Sequence, residues 1–238
     1  MGILYIIATP IGNLGDITLR ALETLKEVDM VLCEDTRQTL KLLNHYNIKK
    51  PLVSYFQHSK LSKVEYVAEL LKAGKNLALV TDAGTPGISD PGNQLISLLV
   101  DQFISSKADK PTDWQTDKLK IVPLPGPNAA VAALSISGFP TDKFIFAGFP
   151  PHKKGREKYF KEIAVAEHTV VFYESTHRIL KALEQLIVLL PQRQIVVCRE
   201  LTKMFESVYR GTAEEVLKIL NSDKNNLKGE FVVIVRYE

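Results

Sequence analysis

The chain has 238 residues, 45% hydrophobic and 24% charged, with a formal net charge of +3. That much apolar side chain builds a core without a disulfide or metal staple, and no stretch approaches the roughly 18 consecutive apolar residues of a membrane span. The opening MGILYIIATP lacks the basic start and long apolar run of a secretion signal, so a cytoplasmic location is expected.

In chain order, ILYIIA at 3–8 reads as a buried strand closed by the turn residues of TPIGNLGD. TLRALETLKEV carries apolar residues at 19, 22, 25 and 28, the stripe of a helix. MVLCE (30–34) and LVSYF (52–56) are the second and third strands. KVEYVAELLKAG is a helix stopped at Gly74, a typical position just past a helix end. NLALVTD is the fourth strand, NQLISLLV starts the next helix, and LKIVPL is the fifth strand. Strands alternating with helices predict a parallel sheet with crossover connections. A polar segment at 105–118, with the single Trp114, precedes the Pro-Gly hinge PLPGP; domains of 1–122 and 123–238 are expected. Beyond the hinge come a small-residue helix, GPNAAVAALSIS, and the strands FIFAGF and HTVVFYE. The helix that follows, STHRILKALEQLIVLL, places Ile179, Leu183, Leu186, Ile187 and Leu190 on one face. QIVVCRE and FESVYRG are close enough for a hairpin, a helix from Thr212 to Leu220 opens on a Thr212/Glu215 capping box, and GEFVVIVRY closes the pattern. This second sheet is therefore expected to be mixed. Cys33 and Cys198, both in apolar runs, read as reduced, buried thiols.

Several chemistries are excluded by absence. The chain has no phosphate-binding G-x-x-x-x-G-K-[ST], no zinc-protease H-E-x-x-H, no paired C-x-x-C and no G-x-S-x-G elbow. The five histidines are scattered without metal-ligand spacing, and no metal is expected. What remains is a pair of Gly/Pro loops at strand carboxyl ends, where open parallel sheets bind ligands. In LVTDAGTPGISDPGNQ (79–94), Gly87 to Gly92 has the spacing of a phosphate loop, but Asn93 and Gln94 stand where Lys and Ser or Thr are needed. Such a loop suits a neutral or zwitterionic ligand. The run HKKGREKYFK (152–161) is basic with interleaved aromatics, and reads either as a solvated helix start or as a surface for RNA phosphates.

ATPIGNLGDITLRA, VLCEDTR, TDAGTPGISDPG, LPGPNAAVAAL, FYESTHR, CRELTKMFE and KGEFVVIV, in that order from residue 3 to 235, resemble the motifs of the ribosomal RNA small subunit methyltransferase I family. That family is a branch of the tetrapyrrole methylase superfamily. The resemblance implies an α/β, two-domain tetrapyrrole-methylase-like fold, with a parallel N-terminal and a mixed C-terminal sheet flanked by helices. It implies S-adenosyl-L-methionine (AdoMet) in a cleft between the domains, and 2′-O-methylation of the ribose of cytidine 1402 in 16S rRNA of the 30S subunit. A homodimer is implied, with neither membrane nor DNA as partner.

Carried over position by position, the resemblance places Pro10, Gly12, Thr85, Pro86 and Ile88 beside the cofactor, with Asp82 supporting the loop and Asn128 and Ala129 in contact. Tyr173, Leu201 and Glu230 would close the pocket from the second domain. A ribose hydroxyl is a weak nucleophile near neutral pH, so a general base helps. Asp35, Glu174 and Glu200 lead the candidates, with Asp16, Glu34 and His58 behind them. Asp35 also reads as a structural partner of Arg37, or Thr36 as a helix cap. Arg37, Lys153, Lys154, Arg156, Arg178, Arg199 and Lys203 are the expected RNA contacts, although Arg178 and Arg199 could equally pair with Glu174 and Glu200. Four features depart from the family: Thr176 replaces a Pro, Gln57 an acidic residue, the 105–118 segment is long, and the sequence stops just after its last strand, where a basic helical extension is usual. Two other functions stay open: a porphyrin or corrin methyltransferase of the same fold, and a non-catalytic AdoMet- and RNA-binding protein.

Overall fold

The computed structural model describes residues 1–55, 61–90, 92–105 and 119–237. Gln57, His58 and the segment 106–118 with Trp114 lie outside the described residues. The chain divides into two compact units, Met1–Asn128 and Ala129–Glu238.

The first unit is a parallel sheet of β1 (Ile3–Ile7), β2 (Met30–Cys33), β3 (Leu52–Ser54), β4 (Leu77–Leu79) and β5 (Lys120–Leu124), in the order β3-β2-β4-β1-β5. Four helices complete it: α1 (Leu19–Glu27), α2 (Thr36–His45), α3 (Leu61–Lys72) and α4 (Gly92–Ser105). The continuous apolar runs of the strands follow from burial on both faces. Leu4, Ile6, Leu32 and Leu79 meet Val67, Leu71, Leu95 and Leu99 of α3 and α4. Their alternates Ile7, Val31, Cys33 and Ala78 meet Ala21, Leu25 and Leu43 of α1 and α2. The α3 helix ends as its sequence predicts. Gly74 adopts φ +83°, and the Gly74 and Lys75 N–H groups return to the Leu71 and Leu70 carbonyls (3.1 and 3.0 Å), the paired bonds that close a helix on glycine.

The second unit carries β6 (Phe144–Phe146), β7 (Thr169–Ser175), β8 (Gln194–Arg199), β9 (Ser207–Thr212) and β10 (Glu230–Val235), with α5 (Ala129–Ser137), α6 (Arg156–Ala164), α7 (Ile179–Leu189) and α8 (Ala213–Ser222). The order is β6-β7-β10-β8-β9. Only β6–β7 is parallel and β8–β9 is the antiparallel hairpin, so the sheet is mixed, as expected. Val170, Phe172, Ile195, Val197, Phe231 and Val233 face α6, α7 and α8 through Phe160, Ile163, Leu183, Leu186, Val216 and Leu220. The capping box is present: the Thr212 hydroxyl accepts from Glu215 N, and the Glu215 carboxylate accepts from Thr212 N at 2.7 Å. Both cysteines are free and buried.

Two helices exceed the sequence reading. The segment 36–45 buries only Thr39 and Leu43, too thin a stripe to announce α2. Its cap is Asp35, which accepts from Arg37 N, rather than Thr36. The basic run at 152–161 is not all solvated: α6 begins inside it and turns Arg156, Phe160 and Ile163 inward. No helix among the described residues is long and apolar enough to cross a membrane.

Candidate functional site

At the carboxyl edge of the parallel sheet, the loops after β1, β4 and β5 are joined to one another. Thr9 and Gly84 exchange backbone hydrogen bonds (2.9 and 3.0 Å). The buried Thr9 hydroxyl donates to the Thr81 carbonyl (3.0 Å), and the Thr85 hydroxyl donates to the Pro127 carbonyl (3.0 Å). The 79–94 loop is closed from within. Gly87 sits at φ +85°, where a Cβ would come within 2.5 Å of Asn93 Oδ1, and Asn93 Nδ2 donates to the Gly87 carbonyl at 2.7 Å. Asn93 therefore does more than begin α4: at the place of a phosphate-loop lysine, it folds back to hold the loop's own backbone.

Carboxylates gather on the β2 side of these loops. Asp82 Oδ1 accepts from Asp35 N (3.2 Å), and the Thr81 hydroxyl lies 3.5 Å from Glu34 Oε2. Partial desolvation raises the carboxyls of Glu34 and Asp82 above their ordinary values although both residues are exposed; the Asp82 charge adds to the shift of Glu34, and that of Asp35 to the shift of Asp82. Asp90 is pushed up to about 6, first by burial and then by the charges of Glu34 and Asp82, against a hydrogen bond from Thr81. Asp35 goes the other way, to about 2. Arg37 holds it with Nη2 on Oδ2 (2.6 Å) and Nε on Oδ1 (3.0 Å). Asp35 is thus a helix cap and ion-pair partner, and a carboxylate so acidic makes a weak base. Arg37 is highly exposed beyond this pair. Beside the joined loops, Pro10 is buried, whereas Gly12, Ile88 and Asp82 are exposed. Asn128 ends the first unit and Ala129 begins α5.

In the second unit, Glu174 is fully buried. Its Oε2 accepts from both terminal nitrogens of Arg156 (3.1 Å each), and its Oε1 accepts from Ser175 N (2.8 Å) and lies 3.0 Å from Arg178 Nε. Arg156 is 4% exposed and also donates to Gln185 Oε1 (2.9 Å), so its guanidinium is spent inside the unit. This corrects two readings: Glu174 has no free lone pair facing a substrate, and Arg156 has no face left for phosphate. Arg199 is corrected in the same way. It is buried and donates to the carbonyls of Lys228, Phe205 and Asn225 (2.6, 3.1 and 2.8 Å), gathering three chain segments rather than pairing with Glu200. Arg178 is partly buried, on Glu174 and the Pro150 carbonyl (3.0 Å). Lys153 and Lys154 are exposed.

Glu200 lies over Gly229, where any Cβ would overlap its carboxyl carbon at 2.4 Å. It accepts from Glu230 N and from Lys203 (both 2.9 Å), and Lys203 also reaches Glu230 (2.8 Å). Burial raises the Glu200 carboxyl, but the Lys203 ammonium and the Glu230 N–H outweigh burial and leave it below its ordinary value. Lys203 is therefore neutralised by two carboxylates. Leu201 is buried beside Glu200, and the Tyr173 hydroxyl accepts from Ala130 N (3.2 Å) while its ring meets Phe146 and Phe149. Thr176, the departure from the family's proline, donates to the Gly229 carbonyl (2.6 Å) and accepts from Gly229 N (3.0 Å), bonds that a proline cannot make.

A family model described as tetrapyrrole (corrin/porphyrin) methylases matches residues 3–217. The ribosomal RNA small subunit methyltransferase I of Haemophilus influenzae is 46% identical over 236 residues, 98% of this chain and 78% of that protein. The protein of the same name from Thermotoga maritima is 40% identical over 235 residues, 99% of this chain and 98% of that protein. The chain belongs to the tetrapyrrole methylase family. Among solved tetrapyrrole methylases, the uroporphyrin-III C-methyltransferase of Thermus thermophilus, complexed with S-adenosyl homocysteine, aligns with a TM-score of 0.62 at 17% identity, over 99% of this chain and 97% of that one. In the present methylase, Asp90 is the residue near the joined loops that sequence reasoning passed over. Its signal lay in the quoted SDPG, but a lone loop carboxylate announces nothing until the fold buries it beside Glu34 and Asp82.

Proposed function

We propose that this chain transfers a methyl group from AdoMet to the ribose 2′-oxygen of cytidine 1402 in 16S rRNA of the small ribosomal subunit, in the cytoplasm and as a homodimer. The observation that carries the reading is identity of 40–46% over nearly the whole chain to proteins named ribosomal RNA small subunit methyltransferase I. The residues of the first unit fit the cofactor. AdoMet carries a sulfonium cation, and the stretches 8–15, 79–94 and 123–130 contain no Lys or Arg to repel it. Glu34, Asp82 and Asp90 instead supply negative charge beside these loops.

When bound, the cofactor supplies the electrophilic methyl group. The chain supplies alignment, through loops tied at Thr9–Gly84 and Thr85–Pro127, and a destination for the hydroxyl proton. Asp35, Glu174 and Glu200 are held by cations, so the Glu34–Asp82–Asp90 group is the better proton acceptor. Of these, Asp90 is pushed up to about 6, toward neutrality. The exposed Lys153 and Lys154 supply positive charge for RNA phosphates.

The deciding experiment is transfer of tritiated methyl groups to 30S subunits from a strain lacking the modification. Label at the target ribose is expected. Label on a tetrapyrrole but not on RNA would reassign the substrate, and AdoMet binding without any transfer would make this a non-catalytic protein. In the same assay series, Thr85→Tyr should abolish calorimetric AdoMet binding while the protein stays folded, because a phenol ring would occupy the space at the joined loops and the tie to the Pro127 carbonyl is lost. Unchanged affinity would remove this loop from the cofactor site.

A further inference from the structure

Between β6 and α6 the second unit carries the turn GFPPHKKG, 148–155. Its backbone is fixed from inside. Tyr173 N donates to the Gly148 carbonyl (2.9 Å), Arg178 Nη1 to the Pro150 carbonyl (3.0 Å) and Arg156 Nη1 to the Pro151 carbonyl (3.4 Å). Both arginines are seated on the buried Glu174. Gly148 and Gly155 bracket the turn at φ +64° and +89°, and two prolines stiffen what lies between. Arg156 and Arg178 thus shape the turn from behind.

The turn presents what the rest of the basic run does not. Of the cations at 152–161, Arg156 is buried on Glu174, and Lys158 and Lys161 pair with Glu162 and Glu157 along α6 (3.7 and 2.6 Å). Lys153 and Lys154 are exposed, and among the described residues no carboxylate pairs with either. On the same turn stands Phe149, 51% exposed. Its ring is backed by Tyr173 (centroids 5.3 Å apart, planes at 60°), which rests in turn on Phe146 (5.1 Å). One exposed phenylalanine is ordinary by itself. Here the ring is held half in water on a fixed backbone, together with two uncompensated ammonium groups.

That combination selects a partner with both negative charge and open planar faces. Single-stranded RNA has both. Its phosphates attract lysine, and any unstacked base offers a π-face to an exposed aromatic ring. A perfect duplex keeps its base faces inside the stack, and single-stranded segments are where proteins reach them. A fixed turn loses little freedom on binding, which favours affinity.

We infer that the 148–155 turn grips the substrate RNA, with an unpaired base stacked on Phe149 and neighbouring phosphates on Lys153 and Lys154. The inference deepens the proposed function, on which it rests for RNA as the partner, and binding tests it apart from methyl transfer. A labelled, unstructured single-stranded RNA, titrated into the full chain by fluorescence anisotropy, should bind more tightly than a perfect duplex of the same sequence. Phe149→Leu, which keeps apolar bulk and removes the ring, should weaken single-strand binding about tenfold at an unchanged salt slope, and Phe149→Trp should restore it. Lys153→Gln with Lys154→Gln should weaken binding and flatten the slope of log affinity against log salt by about 1.4. Without any substitution, thiouridine-labelled RNA should photocross-link to Phe149 in the wild type. Equal affinity in Phe149→Leu, an unchanged slope in the lysine variant, or cross-links confined to other segments overturns the inference. So does conversion of a wild-type dimer to monomer by Phe149→Leu in sedimentation, which would make the ring a subunit contact. RNA binding that depends on Phe149, without methyl transfer to 30S subunits, upholds the turn and overturns the proposed function. Transfer to 30S subunits with KM unchanged in Phe149→Leu and in the lysine variant does the reverse.

Discussion

Arg156→Met is expected to destabilise the second unit by about 3–5 kcal/mol, because it leaves one partner of a buried ion pair behind. The Glu174 side chain has no exposed surface, and among the charged groups of the described residues Oε2 accepts from Arg156 alone. With the guanidinium gone, that oxygen loses both of its 3.1 Å bonds, and Arg178 with Ser175 N serves only Oε1. The Arg156 guanidinium also lies over the Phe160 ring at 5.1 Å, so part of the loss is packing. Urea unfolding would read the effect. The double variant Arg156→Met with Glu174→Leu should regain part of the loss, since apolar replacement of both partners removes the stranded charge. A single-variant loss below about 1 kcal/mol would mean that the pair is solvated and that Arg156 is available for RNA after all.

Asp90→Asn is expected to cut kcat about 100-fold, within the range assigned to a positioned general base, while making the protein more stable near pH 7. The wild-type rate should fall on the acid side with a midpoint near the Asp90 value of about 6, and the variant should lose that limb. The stability sign follows from the same shift. A carboxyl raised in the folded state holds its proton more tightly there than in the unfolded chain. Its contribution is fully present below the unfolded value near 4 and is lost as pH rises through about 6. Above that, Asp90 is an unfavourable charge that Asn removes. Because the group is partly exposed, solvent screening reduces the gain to about 1 kcal/mol, or roughly 2–4 °C in Tm. Lower activity with higher stability is the mark of a strained functional group. A normal kcat in Asp90→Asn, with an acid limb still near 6, would transfer the proton to Glu34.

The parts of the fold legible in the sequence are those whose causes are local. Apolar runs bounded by Gly and Pro announced β1 and β4, Gly74 announced the end of α3, and Thr212 with Glu215 announced the start of α8. The β8–β9 hairpin followed from the closeness of QIVVCRE and FESVYRG, with only the four residues 201–204 between them. Helix α2 was not legible, because most of its face lies at the surface and its cap, Asp35, also reads as an ion-pair partner of Arg37.

The site divides along the same line. The order of the motifs, the missing lysine of the 79–94 loop and the absence of metal-ligand spacing are written in the residue string, and they lead to the methylase family without coordinates. The state of each charge is not. Arg156 and Lys154 lie two residues apart in one basic run, yet one is buried on Glu174, 18 positions away, and the other meets water. Arg199 finds its acceptor at Lys228, 29 positions on. Asp35, Glu34 and Asp90 are all plain carboxylates in the residue string. They shift apart because tertiary structure gives Asp35 an arginine, and places Glu34 and Asp90 among like charges, with Asp90 the more enclosed of the two. Periodicity and capping act within a few residues and survive in sequence. Burial and charge pairing depend on which distant segments the fold brings together, and only the tertiary structure decides them.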